Sequence, residues 1–72
     1  MRIIDCNAPE GNAFAIMGLA RKWGIQLGKD VKAIGEEMRS GDYENVCRVF
    51  EREFGSVARL VNAPWDEVED DD

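Results

Sequence analysis

The sequence predicts a small α+β domain, mostly helical, in which three helices lie between two short strands. Two observations predict this fold class. Apolar residues recur at helical spacing in three successive segments, and β-branched residues cluster in a short segment before the helices and another after them. Turn-forming residues separate the segments at each junction. The expected order is therefore strand, helix, helix, helix, strand.

The first element is predicted to be a strand over residues 2 to 5, because two adjacent isoleucines favour extended backbone. The strand is expected to stop at the turn-forming segment 7 to 11. Asn12 can then cap the first helix, which is predicted to end near Gly28. The apolar face predicted for this helix consists of Ala13, Ile16, Met17, Ala20, Trp23, Gly24 and Leu27.

Two shorter helices are predicted to follow. Asp30 can cap the second helix, and either Ser40 or Asp42 can cap the third. Gly55 is expected to end the third helix in the left-handed conformation. The apolar residues expected to share a face are Val31, Ile34 and Met38 in the second helix, and Tyr43, Val46, Cys47, Phe50 and Phe54 in the third.

The last strand is predicted over residues 56 to 61, which are rich in β formers. A two-stranded sheet is marginal alone, so the strands are expected either to pair under the helices or to extend a sheet across a homodimer. The predicted compact domain covers residues 1 to 63. Residues 64 to 72 are expected to form a mobile C-terminal segment, called the acidic tail below.

Gly18 and Gly35 are predicted to lie inside helices, where each costs roughly 0.8 to 1 kcal/mol relative to alanine. Such a cost indicates a local reason for glycine. The favoured reason is close approach of another helix or strand, and the alternative is contact with a ligand.

The charge is concentrated in the acidic tail. The formal net charge is −6, and six of the fifteen acidic residues lie within residues 66 to 72. The rest of the chain balances nine acidic against nine basic residues, which are dispersed along it. This balance argues against direct nucleic-acid binding, which needs a basic stripe. It also disfavours mimicry of nucleic acid, which needs acids spread over a surface.

The residue types present exclude several kinds of site. The chain has no histidine, and its two cysteines, Cys6 and Cys47, are far apart in the sequence. A zinc site, a serine triad and a cysteine–histidine pair are therefore not expected, and no cofactor motif is present. We expect no enzymatic activity and no cofactor. We also expect no membrane span, and reduced thiols in a cytoplasmic protein, because no secretory signal follows Met1.

Exposed aromatic residues are the candidates for contact with a protein partner. Tryptophan is enriched at binding hot spots, and Trp65 stands directly before the acids of the tail. Trp65 is predicted either to anchor a partner or to fold back over the edge of the sheet. The candidate partner-binding residues are Phe14, Trp23, Trp65, Asp66, Glu67 and Glu69.

Two segments carry a resemblance to a known class of proteins. Residues 11 to 18 (GNAFAIMG) and 40 to 46 (SGDYENV) resemble stretches of small uncharacterised proteins of bacteriophages and other mobile elements. The resemblance implies a compact cytoplasmic protein of phage or prophage type, with no assigned activity, cofactor or catalytic residues. It also raises the expectation that the protein binds a host protein.

Two functions are compatible with these observations. The leading hypothesis is a non-enzymatic, self-associating protein-binding module, acting on a host protein as a phage or mobile-element accessory protein. The alternative is an acidic effector that competes with nucleic acid for a basic groove through its tail. A small-ligand or enzymatic role for the helix start at Gly11 and Asn12 is disfavoured, since no base or nucleophile accompanies it.

Overall fold

The computed structural model describes residues 1–66 of the chain. The predicted order of strand, helix, helix, helix, strand is confirmed. The elements are β1 (Arg2–Asp5), α1 (Ala13–Gln26), α2 (Val31–Arg39), α3 (Tyr43–Phe54) and β2 (Ala58–Val61), with short 3-10 helices at Pro9–Gly11 and Pro64–Asp66.

Each helix begins at a side chain that caps it. The side-chain oxygens of Asn12, Asp30 and Asp42 accept hydrogen bonds from the amide three residues later, at 2.8, 3.1 and 3.0 Å. Asp42, rather than Ser40, therefore caps α3. The Ser40 hydroxyl instead donates to the carbonyl of Glu37 at 2.6 Å, and so satisfies an acceptor at the end of α2.

The end of α3 differs from the prediction. Gly55 has φ −61° and ψ −20°, which is right-handed, so the predicted left-handed conformation is wrong. Glycine is needed there for a different reason: a Cβ would lie 2.6 Å from the carbonyl oxygen of Glu51. The amide of Val57 bonds to Phe54 at 3.0 Å in the following turn, so β2 begins at Ala58 and is shorter than predicted.

The two strands pair with each other within the chain, in parallel. Arg2 lies opposite Ala58, and Asp5 lies opposite Val61. A parallel pair needs a long crossover connection, which α1, α2 and α3 provide. At the end of the sheet, the side-chain amide of Asn62 donates to the carboxylate of Asp5 at 2.9 Å.

The outer edge of β1 is partly occupied. The amides of Arg2 and Cys6 donate to the carbonyls of Val57, just before β2, and Val61, at its end. Because successive amides of a strand point in opposite directions, the amide of Asp5 points away from β2. That outward amide donates to the Glu10 carboxylate at 3.2 Å, and Glu10 also lies 3.6 Å from the Arg2 guanidinium. A second copy that extended the sheet at this edge would have to displace Glu10.

The core lies between the helices and one face of the sheet. Helix α3 contributes more buried residues than the other elements, including Val49, which the predicted stripe omitted. The predicted face of α1 is buried at its centre, but Leu27 is 53% exposed just beyond the helix end. The buried apolar residues are Ile4, Ile16, Ala20, Ile34, Met38, Val46, Cys47, Val49, Phe50, Phe54, Ala58, Leu60 and Ala63.

Candidate interaction surface

Both tryptophans among the candidate binding residues pack against the core. Trp23 is partly buried, and its ring centroid lies 6.0 Å from that of Phe50 and 6.2 Å from that of Phe54. Trp65 is also partly buried, with the guanidinium carbon of Arg48 at 5.2 Å from its ring centroid. Trp65 therefore folds back onto the domain against α3, whereas the sequence predicted that it would cover the edge of the sheet.

Phe14 is placed differently, because its side chain is 84% exposed at the start of α1. It stands beside an open groove of about 350 Å³ between α1 and α2, called the α1–α2 groove below. A volume of this size is typical of sites that accept a few side chains or a small ligand. The groove is lined by Phe14, Met17, Gly18, Ala20 and Arg21 from α1, and by Val31, Ile34, Gly35, Met38 and Arg39 from α2.

The two helix-interior glycines face this groove from opposite sides. A Cβ on Gly18 would meet nothing within 4 Å, and the nearest atoms to a Cβ on Gly35 belong to the Arg39 guanidinium of the same helix, at 3.3 Å. The prediction that close packing explains these glycines is therefore wrong. The close approach occurs at Gly24, where a Cβ would lie 2.5 Å from Cγ1 of Val31. At Gly18 and Gly35, the missing side chains leave the groove open.

Helix α1 carries exposed apolar residues on its outer face in addition to those on its buried face. Phe14, Gly18, Arg21 and Ile25 fall at helical spacing on one side, and Ile25 is 59% exposed. Within residues 1–66, nothing buries Phe14 or Ile25, so this face of α1 is available for contact.

The basic residues divide into a paired and an unpaired group. Four of the nine form ion pairs with carboxylates, at 2.6 to 3.6 Å. The other five have no ion pair or hydrogen bond from their side chains within the described part of the chain. Four of these five lie on α1 or α2. The paired residues are Arg2, Lys29, Arg48 and Arg52, and the unpaired ones are Arg21, Lys22, Lys32, Arg39 and Arg59.

Ion pairs of α3 connect it to α2 and also link residues within the helix. Arg52 on α3 makes two hydrogen bonds to the Glu37 carboxylate on α2, at 2.7 and 2.6 Å. These bonds hold the pKa of Glu37 below its ordinary value. Within α3, Arg48 pairs with Glu44 at 2.6 Å, as the spacing of four residues predicted.

Burial keeps the thiol of Cys47 protonated. Cys6 and Cys47 are both free, and Cys47 is fully buried. Burial raises the pKa of Cys47 to about 11, so this thiol is protonated at neutral pH and is a poor nucleophile. Among residues 1–66, no three side chains of the metal-binding types come together to hold an ion. In the same range, none of the helices has the length and apolar character needed to cross a membrane.

The acidic candidates lie at or beyond the end of the described chain. Asp66 is the last residue of the Pro64–Asp66 helix, and Glu67 and Glu69 lie outside the described residues.

The groove residues Arg21 and Arg39 were not among the predicted binding residues. One sequence signal could have indicated them: residues 13 to 26 contain two basic and no acidic residues and repeat apolar positions on two faces. No protein-family model, no curated protein and no solved structure matches this chain.

Proposed function

We propose that the protein is a non-enzymatic protein-binding module whose partner docks on the α1–α2 groove, with Phe14 as the anchor. The observation that carries this proposal is the 84% exposure of Phe14 beside an open, largely apolar groove. A few large, well-packed side chains usually supply most of the affinity of a protein interface. Trp23 and Trp65 contribute less, because each is already packed against the core.

The chemistry of the described residues supports a binding role over catalysis. The chain has no histidine, and the Cys47 thiol is buried and protonated at neutral pH. The free state of Cys6 and Cys47 supports the cytoplasm as the place of action. The resemblance of two segments to small phage proteins makes a host protein the first partner to test.

The test is affinity capture from host lysate, followed by titration of the purified captured protein against four forms of this chain. Phe14→Ala removes the anchor, and Gly18→Leu fills the groove from a position with free space around it. Ile3→Ala is the matched control, because Ile3 is 60% exposed on β1 and lies outside the groove. Loss of a hot-spot side chain typically weakens binding by about 30-fold.

We expect Phe14→Ala and Gly18→Leu to weaken binding by roughly that factor and Ile3→Ala to leave it within about twofold. Circular dichroism checks that each variant is folded. Equal affinities for wild type, Phe14→Ala and Gly18→Leu would show that the partner binds elsewhere.

The alternative function, an acidic effector that competes with nucleic acid for a basic groove, depends on the acidic tail. Deleting residues 66 to 72 should abolish partner binding and its salt dependence under this alternative. The same deletion should preserve binding if the partner uses the α1–α2 groove. The two functions therefore differ in the outcome of one deletion.

A further inference from the structure

We infer that the α1–α2 groove receives residues 66 to 72 of the acidic tail from a second copy of this chain. The inference rests on the proposed function, because it assigns a specific occupant to that binding surface. Copies of the chain could then associate through the tail and the groove, without using the partly occupied edge of β1.

Charge complementarity is the first argument. Arg21 from α1 and Arg39 from α2 line the groove, and neither pairs with any residue in the range 1–66. The lining residues include no acid. Glu36, which follows Gly35 on α2, is exposed and does not line the groove. Residues 66 to 72 contain six acids, so the chain itself supplies carboxylates that can pair with these two arginines.

The apolar content of the two surfaces also agrees. Val68 is the single apolar residue between 66 and 72, and acids stand on both sides of it in the sequence. The groove combines apolar lining residues, including Met17 and Ile34, with one arginine from each helix. One apolar side chain with flanking carboxylates is therefore suited to an apolar groove with flanking guanidinium groups.

The tail starts at a place separate from the residues that line the groove. The Pro64–Asp66 helix packs on α3, and Trp65 lies by Arg48. The residues around Trp65, which include Met1, Glu51 and Leu60, share none with the lining of the groove. A tail of one copy that enters the groove of the next copy makes a head-to-tail contact, which forms rings or open chains.

Sedimentation velocity over a range of protein concentrations tests this inference. Full-length wild type should associate more as its concentration rises. The association should weaken between about 0.1 M and about 1 M salt, where the Debye length falls from about 10 Å to about 3 Å. Two double variants probe the contact. Arg21→Glu with Arg39→Glu reverses the charge of the two groove arginines, and Glu67→Lys with Glu69→Lys reverses the charge of the two acids on either side of Val68.

Each double variant alone should associate at least about fivefold more weakly than wild type, given the modest strength of exposed ion pairs. An equimolar mixture of the two should recover association, because the unaltered tail of the groove variant can enter the unaltered groove of the tail variant. If the tail instead bound the groove of its own copy, mixing the two variants would not change their association. Lys22→Glu with Lys32→Glu is the matched control, since both lysines are also unpaired within residues 1–66 and lie on α1 and α2 but do not line the groove, and it should associate like wild type.

A monomeric wild type at all concentrations, or double variants that associate like wild type, would overturn the inference. So would a mixture that behaves as the average of its components. These outcomes are separate from those of the proposed function, which depends on Phe14→Ala and Gly18→Leu in partner titrations. If only those two substitutions weaken partner binding, the groove binds a partner but not the tail.

Discussion

The hydroxyl of Tyr43 donates a hydrogen bond to the main-chain carbonyl of Gly11, and the carbonyl of Cys6 lies 3.5 Å from the same hydroxyl. Tyr43 is the first residue of α3, whereas Cys6 and Gly11 belong to the connection between β1 and α1. Gly11 also approaches the backbone of Asp5 so closely that a side chain would clash. One side chain of α3 thus fixes the turn that leads into α1.

Tyr43→Phe should lower the free energy of unfolding by about 1 kcal/mol, because it removes a partly buried hydroxyl and leaves two carbonyls without this donor. Urea denaturation followed by circular dichroism measures the change. Tyr43→Ala should cost more, since it also removes the ring that packs on the core. Equal stability of Tyr43→Phe and wild type would show that water replaces the hydroxyl without loss.

Stability should fall at alkaline pH. Burial raises the pKa of Cys47 from 9.0 to about 11, and burial also raises the pKa of Tyr43 above its ordinary value of 10.0. Both groups therefore favour folding while protonated. Their contribution is complete below about pH 9 and is lost as the pH rises, first for Cys47 and then for Tyr43.

Urea denaturation at a series of pH values tests this dependence. The free energy of unfolding should begin to decline near pH 9, with a slope of up to about 1.4 kcal/mol per pH unit for each proton. In Cys47→Ala the decline should begin nearer pH 10. The same onset in both proteins would show that Cys47 is not the group responsible.

Gly18→Ala and Gly24→Ala should have opposite effects on stability. The Gly18 substitution improves helix propensity in free space, so the free energy of unfolding should rise by about 0.5 to 1 kcal/mol. The Gly24 substitution forces a Cβ against Val31, so it should destabilise by about 1 to 3 kcal/mol. Thermal or urea denaturation measures both. Destabilisation by Gly18→Ala would mean that the groove is narrower than described.

The environment of Trp65 can be measured by fluorescence in a Trp23→Phe background, where Trp65 is the remaining tryptophan. Because Trp65 is partly buried beside Arg48, its emission should be blue-shifted from that of free tryptophan and partly protected from acrylamide. Arg48→Ala should increase quenching. Emission and quenching like those of free tryptophan would indicate that Trp65 is not packed on α3.

Local sequence signals predicted the elements well, because caps and apolar spacing act over a few residues. Asn12, Asp30 and Asp42 cap the three helices of the described chain. The left-handed ending was assigned to Gly55, but positive φ occurs at Gly28 and Asn62. Glycine can be required because a side chain would not fit or because φ is positive. A single sequence does not distinguish these two reasons.

The tertiary relationships were less accessible from the sequence. Two short strands do not encode whether they run parallel, so the pairing of β1 with β2 depended on how the helices pack. The groove was not predicted either, because the space beside Gly18 and Gly35 depends on the distance between α1 and α2. Phe14 was predicted as a candidate anchor from its residue type, whereas its exposure became visible only in the fold.

The parallel pairing of β1 with β2 sets an order of events during synthesis. Ile4 needs Leu60 as its neighbour in the sheet, and nearly the whole domain is translated between them. The three helices of the described chain can form from local contacts as they emerge, whereas the sheet requires a contact between distant residues. A nascent chain therefore holds Ile4 without its strand partner until β2 leaves the ribosome, and chaperone protection would matter most during that interval.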